Sequence, residues 1–60
     1  MDKIRPNQER FCKYLDEEYT YRILSYIYND WWSVQILNGS MKDKIYEWHG
    51  SSIIKDKVYE

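Results

Sequence analysis

Residues 19–37, YTYRILSYIYNDWWSVQIL, constrain the fold most, because they concentrate the large side chains of a very short chain. They include four of the seven tyrosines and two of the three tryptophans. Aromatic side chains bury large areas and carry polar tips, so this segment forms a core, a recognition surface or both. The rest of the chain is expected to extend this segment or to cover it.

The chain has 60 residues, a size at which only roughly 60% of the unfolded surface is buried and stability is marginal. One cysteine and one histidine exclude an internal disulfide and fall short of the four ligands of a structural zinc site. Dense aromatic packing or self-association must supply stability instead. The lone thiol indicates a reducing compartment, and no signal peptide or apolar run of about 18 residues is present. These features predict a cytoplasmic protein without a membrane segment.

The charge balance argues against a dedicated nucleic-acid surface. Nine basic residues accompany ten acidic ones, for a formal net charge of −1, whereas phosphate binding normally shows as a basic excess.

The chain also lacks alanine and uses Ile, Tyr, Lys and Asp heavily, which AT-rich codons supply. This composition indicates an AT-rich bacterial, phage or mobile-element genome. It also requires a core of Ile, Tyr and Trp, which favours strands.

The sequence predicts a tail or an added edge segment over residues 1–6 and a helix over residues 7–28. Asn7 is a plausible N-cap, and Glu9 lies in the first turn, where it complements the helix dipole. Apolar residues recur every fourth position, which is typical of one helical face; they are Phe11, Leu15, Tyr19, Ile23 and Ile27. A second stripe recurs every seventh position and comprises Tyr14, Tyr21 and Tyr28. The alternative is a hairpin with its turn at Asn29-Asp30, since the residues from 19 onward also favour strands.

After residue 30 the sequence alternates as a half-buried strand does, and Asn38-Gly39 gives the strongest short hairpin signal. A two-residue turn there would place Val34 opposite Asp43, and a longer loop through Lys42-Asp43 is the alternative. A second strand is predicted at about residues 44–49. A third follows at residues 53–59, with lysines suited to a sheet edge; its alternative is a short helix capped by Ser51 or Ser52.

These patterns predict an α+β fold in the order α-β-β-β, with one N-terminal helix packed on a three-stranded antiparallel β-meander over residues 31–59. The 60 residues are expected to form a single small domain. The two helical stripes together cover more of the helix than one sheet can bury. The tyrosine stripe is therefore predicted to meet a second subunit or another partner, and the predicted assembly is a homodimer.

No sequence pattern indicates catalysis. Cys12 and His49 are the only thiol and the only imidazole, and nothing in their spacing supports a nucleophile and its base. The acidic run at residues 16–18 would point in different directions on a helix, which favours a solvated face over an acid–base pair. No glycine-rich phosphate loop occurs. The prediction is a non-enzymatic protein that needs no cofactor and no metal.

Partner binding is the predicted function, because Tyr, Trp and Arg dominate the hot spots of protein interfaces. The predicted contact residues are Tyr14, Tyr21, Arg22, Tyr28 and Trp31. Size and composition are typical of small phage or mobile-element proteins that inhibit host machinery or host defence, so the expected partner is a host protein. The first alternative is a nucleic-acid-binding regulator that stacks bases on its sheet, through Lys42, Lys44, Tyr46 and Trp48. The second is a structural or assembly subunit.

Overall fold

The computed structural model describes residues 3–58, which form mainly a four-stranded antiparallel sheet in the order β1-β2-β3-β4. The strands are β1 (Glu9–Tyr14), β2 (Glu17–Tyr28), β3 (Trp31–Ile36) and β4 (Ile45–His49). One turn of 3-10 helix, Gly39–Met41, lies between β3 and β4, and a four-residue helix α1 (Gly50–Ile53) follows β4. Within residues 3–58 no helix has the length and apolar character needed to cross a membrane.

The predicted α-β-β-β fold with a helix over residues 7–28 is wrong, because β1 and β2 form a hairpin there. A four-residue apolar period is a multiple of the two-residue period of a strand, so it did not discriminate between the two structures. Residues seven positions apart share a face in a helix but lie on opposite faces of a strand. In the sheet, strand alternation puts Tyr14 and Tyr21 on one face and Tyr28 on the other, so the tyrosine stripe does not form.

Two tight turns connect the first three strands. The alternative turn at Asn29-Asp30 is confirmed: both residues have positive φ, 46° and 65°, as a type I′ hairpin turn requires. Leu15 and Asp16 form a second such turn, with φ of 49° and 64°. No sequence pattern predicts this turn, because leucine rarely adopts the left-handed region.

The N-terminal residues fold onto the sheet instead of starting a helix. The Gln8 amide donates to the Arg5 carbonyl at 3.3 Å, and Asn7 has φ of 68°. With Pro6 before it, Asn7 occupies the position of a type II turn that demands positive φ, so its predicted role as an N-cap is wrong. Ile4, in the segment predicted as a tail or an added edge segment, packs against the core. Residues 1 and 2 lie outside the described part.

The predicted alternation after residue 30 is confirmed as β3, but the two-residue turn at Asn38-Gly39 is wrong. Val34 pairs with Tyr46 and not with Asp43, so the longer loop is confirmed. The Asn38 side-chain oxygen accepts a hydrogen bond from the Thr20 amide at 2.7 Å. This contact with β2 holds Asn38 in an extended conformation, which a type I′ turn does not allow.

The predicted third strand over residues 53–59 is also wrong. The chain turns into α1 at Gly50, and the pairing that remains is an isolated bridge between Val58 and Arg10. The N-cap of α1 is His49, whose ring Nδ1 accepts from the Ser51 amide at 3.2 Å, so neither Ser51 nor Ser52 caps this helix. Residues 59 and 60 lie outside the described part.

The core lies between one face of the sheet and the chain that follows β4. Its buried apolar residues are Tyr19, Tyr21, Ile23, Val34, Ile36 and Ile53. After α1 the chain returns to the outer edge of β1, where the Phe11 amide donates to the Lys57 carbonyl at 2.9 Å. The edge of β1 is thus covered, whereas among residues 3–58 no strand pairs with the outer edge of β4.

Candidate functional site

A groove of about 630 Å³ opens on the sheet face that carries the core. Residues of β1 line one side, residues of β4 line the other, and Tyr19 and Ile36 lie between them. Since β1 and β4 are at opposite ends of the sheet, the twisted sheet must curl to bring both to one cavity. We call this cavity the aromatic groove, after the residues Tyr14, Tyr19, Met41, Tyr46 and Trp48 that line it.

The β4 wall is built by strand alternation. Tyr46 and Trp48 are two positions apart, so both project to the core side of the sheet. Their rings are nearly parallel, 12° apart, with centroids separated by 6.1 Å. The Tyr46 hydroxyl donates to Met41 Sδ at 3.4 Å, and the Trp48 ring packs edge-on against Tyr21 at 4.8 Å. Contacts to both the loop and the core therefore fix these two rings.

The β3–β4 loop is tied down at the end of the groove. The Tyr19 hydroxyl and Ser40 Oγ are 3.1 Å apart and share a hydrogen bond. The Ser40 amide donates to the Glu17 carboxylate at 3.2 Å. Gly39 has φ of 77°, and a side chain there would collide with Tyr19, only 2.6 Å from the Cβ position. Glycine at position 39 thus lets the loop approach the groove closely.

Cys12 and His49 both line the groove, on β1 and β4 respectively, but their chemistry does not favour nucleophilic catalysis. Burial raises the pKa of the Cys12 thiol, and the nearby Asp56 carboxylate raises it further. An activated cysteine requires the opposite shift, because the thiolate is the nucleophile. The His49 Nδ1 atom is occupied by Ser51, whose Oγ lies 2.9 Å away.

A buried polar network closes the groove at its Asp56 end. The Arg10 guanidinium has no exposed surface, and it donates to the carbonyls of Ile53 at 3.2 Å and Asp56 at 2.8 Å. The Tyr21 hydroxyl donates to the Asp56 carboxylate at 2.6 Å. Burial, this hydrogen bond and the carboxylate charge hold the pKa of Tyr21 well above its usual range. The network fixes the chain that returns from α1 to β1.

Sequence patterns could not reveal this network, because its hydrogen-bonded partners are 35 to 46 positions apart. The one available signal was the alternation in β1. Arg10, Cys12 and Tyr14 share a strand face, so a strand interpretation would have placed an arginine inside the protein. A buried arginine needs hydrogen-bond acceptors, which here are mostly backbone carbonyls.

The structure does not bring the five predicted contact residues together. Tyr21 is buried in the core, where a partner cannot reach it, while Tyr14 and Tyr28 are 59% and 58% exposed. Arg22 forms a 2.8 Å ion pair with Glu9, away from the groove. Trp31 lies at the end of the groove, packed edge-on against His49 at 5.1 Å. Tyr14 and Trp31 are thus the members that line the groove.

The residues of the nucleic-acid alternative are also divided. Tyr46 and Trp48 form the β4 wall, whereas Lys42 and Lys44 are exposed and do not line the groove. The charged residues at the groove are of both signs, Lys13, Glu47 and Asp56, and strand alternation directs the side chains of Lys13 and Glu47 to the opposite face of the sheet. This charge distribution lacks the basic groove that tracks a phosphate backbone in single-strand binders.

No cluster of three or more His, Cys, Asp or Glu side chains within residues 3–58 is arranged to hold a metal ion. Comparison with known proteins adds no assignment: no family model, no curated protein and no solved structure matches the chain. The geometry of the groove is therefore the basis for proposing a function.

Proposed function

We propose that this chain is a non-enzymatic protein-binding module that holds an apolar segment of a partner protein in the aromatic groove. The observation that carries the proposal is the groove itself, about 630 Å³ in volume and lined by Tyr, Trp and Met side chains. Aromatic residues and methionine are the types enriched at the centres of protein interfaces. A wide apolar cavity with a few polar groups is also the usual form of a binding site.

The groove is organised before a partner arrives. Tyr19 is bound to Ser40, Tyr46 to Met41, and Trp48 packs on the core. Side chains that are already fixed lose little conformational entropy on binding, which favours affinity. Tyr14 differs from these, because it is largely exposed and makes no side-chain hydrogen bond within the described residues. It is the natural anchor for a partner.

The charge of the groove supports a protein partner over a nucleic acid. Strand alternation directs Lys13 and Glu47 to the other face of the sheet, so the groove presents the Asp56 carboxylate together with serine and tyrosine hydroxyls. Such a lining suits a peptide, whose backbone offers neutral donors and acceptors. The amino-acid composition, which AT-rich codons supply, supports a phage or mobile-element protein. Such a protein would act in the host cytoplasm and inhibit or modulate a host protein by occupying its surface.

Tyr14→Ser and Tyr28→Ser form a matched pair that tests this proposal, since the two tyrosines are equally exposed and one lines the groove. Peptides selected from a displayed random library against the wild-type chain serve as probes, and their affinities are measured by calorimetry. We expect Tyr14→Ser to raise Kd roughly 30-fold, as loss of a hot-spot residue does. Tyr28→Ser should leave Kd unchanged.

Equal losses in both variants, or peptides that bind Tyr14→Ser as tightly as wild type, would place binding outside the groove and refute the proposal. Circular dichroism of both variants checks that the fold is retained. A labelled single-stranded oligonucleotide provides the comparison for the alternative: binding that weakens steeply with salt and needs Trp48 would favour a nucleic-acid ligand.

A further inference from the structure

The outer edge of β4 exposes backbone groups that a sheet interior would pair. The Ile36 amide donates to the Lys44 carbonyl at 2.9 Å, so every second residue from Lys44 onward bonds to β3. The intervening residues of β4 direct their N–H and C=O groups away from the sheet. These residues are Ile45, Glu47 and His49.

This edge lacks the features that normally prevent another strand from pairing with it. Open edges are commonly guarded by lysines, prolines, bulges or a covering segment. β4 contains one acidic residue, Glu47, and no lysine or proline, and it pairs with β3 without a register shift. The opposite edge of the sheet is covered, since the Phe11 amide donates to the Lys57 carbonyl.

We propose that β4 pairs antiparallel with β4 of a second copy, around a two-fold axis that passes beside Tyr46, so that two sheets become one. Two-fold symmetry requires one surface to complement itself. The β4 edge can do so because an antiparallel strand presents the same outward groups when it is rotated onto itself. This inference does not depend on the proposed peptide-binding function.

Charge and chain geometry select the register. An axis beside Glu47 would set two glutamates directly opposite each other, which is destabilising. An axis beside Trp48 would need Gly50 in an extended conformation, but Gly50 is the first residue of α1. An axis beside Tyr46 avoids both problems, and it pairs the outward backbone groups of Ile45 in each copy with those of Glu47 in the other.

The Tyr46 register has two further consequences. It places Lys44 of one copy opposite Trp48 of the other, on the same face, where the ammonium group can contact the indole ring. It also places the two aromatic grooves side by side, with Tyr46 of both copies at their shared boundary. The dimer therefore presents one continuous aromatic surface across the two-fold axis.

Sedimentation equilibrium of the full chain tests the dimer. We expect a mass of twice the 7.5 kDa chain at high concentration. Glu47→Pro should raise the dimer Kd at least about tenfold, because it removes a hydrogen bond to each partner. The Glu47 N–H points outward, so proline there breaks no bond between β3 and β4. Glu47→Ala keeps the N–H group and should remain a dimer.

Cysteine cross-linking tests the register. In a Cys12→Ser background, Tyr46→Cys should form an intermolecular disulfide, because facing residues of this kind have Cα atoms about 4.5 Å apart. Glu47→Cys and Trp48→Cys would be out of alignment and should stay reduced. A strictly monomeric wild-type chain, a Glu47→Pro variant that dimerises as tightly as wild type, or cross-linking at position 47 or 48 instead of 46 would each overturn the proposal.

Discussion

The two edge strands of the sheet, β1 and β4, differ in whether another part of the chain covers them. Both β1 and β4 are edge strands, and the outer backbone groups of an edge strand can pair with another strand unless they are covered. The edge of β1 is covered by residues 57–58 and held by the buried Arg10. The edge of β4 is uncovered within the described residues. Residues 57–58 thus close one edge of the sheet, and the other stays open where we propose that a second copy pairs.

The same difference separates the residues that stabilise the fold from those that we expect to bind. The β1 side concentrates the buried polar contacts, namely those of Arg10, Tyr21 and Asp56. The β4 side carries the stacked pair Tyr46 and Trp48, which contribute to the groove. Substitutions on the β1 side should therefore act on folding, and those at the β4 edge on association.

Arg10→Leu should give the largest effect. It removes the donors for the buried carbonyls of Ile53 and Asp56, and each unsatisfied group costs about 1–3 kcal/mol. We expect the free energy of unfolding to fall by about 3 kcal/mol, a large share of the roughly 3–9 kcal/mol typical of 60 residues. Urea denaturation followed by tryptophan fluorescence measures the change.

Arg22→Leu is the matched control, because Arg22 lies on the neighbouring strand and forms an ion pair with Glu9 at a partly exposed site. Such pairs contribute about 0–1 kcal/mol, so this variant should be destabilised far less. Similar losses in the two variants would show that the buried network does not hold the β1 edge closed.

The sequence does not predict that the edge of β1 is covered, but it does predict parts of the sheet. The alternation over six residues predicts β3, and Asn29-Asp30 is the turn of the alternative hairpin. The hairpin before it was missed because the apolar residues of β1 and β2 recur every four positions, a spacing that fits strand and helix alike. Asn38-Gly39 misled for a different reason: a long-range bond to Thr20 overrides its local preference.

Alkaline pH should weaken the closed edge selectively. The pKa of Tyr21 is raised in the folded state, so folding favours the protonated phenol. Its contribution is complete below the unfolded pKa of about 10 and is lost as pH rises above it. We expect the wild-type midpoint of denaturation to fall above about pH 10. The Cys12 thiol, whose pKa is also raised, adds to the same decline.

Tyr21→Phe isolates this contribution. The variant should be less stable at neutral pH by about 1–2 kcal/mol, since Asp56 loses its hydrogen-bond donor. Its stability should then decline less steeply than that of wild type at alkaline pH. Parallel declines in the two proteins would contradict a role for Tyr21 ionisation, and Tyr28→Phe, at an exposed tyrosine, is the control.

The candidate site was predictable in composition but not in arrangement. The sequence indicates Tyr14, Tyr46 and Trp48 as contact residues but in two separate sets, because it predicts a helix for Tyr14 and a sheet for Tyr46 and Trp48. The curled sheet unites β1 and β4 in one cavity. Which aromatic residues become core depends on this curvature: Tyr21 is buried while Tyr14, on the same face, is exposed. Local patterns do not encode that distinction.

Ile45→Thr at the open edge should give the smallest effect on folding. Ile45 is 59% exposed, and threonine is also a strand former, so the change should stay within about 0.5 kcal/mol in dilute solution. Ile36→Thr, a buried counterpart on β3, should cost well over 1 kcal/mol. Thermal denaturation across a concentration series measures both. If Ile45→Thr destabilises the dilute protein as much as Ile36→Thr, then the edge of β4 belongs to the core, and the contrast between a closed and an open edge fails.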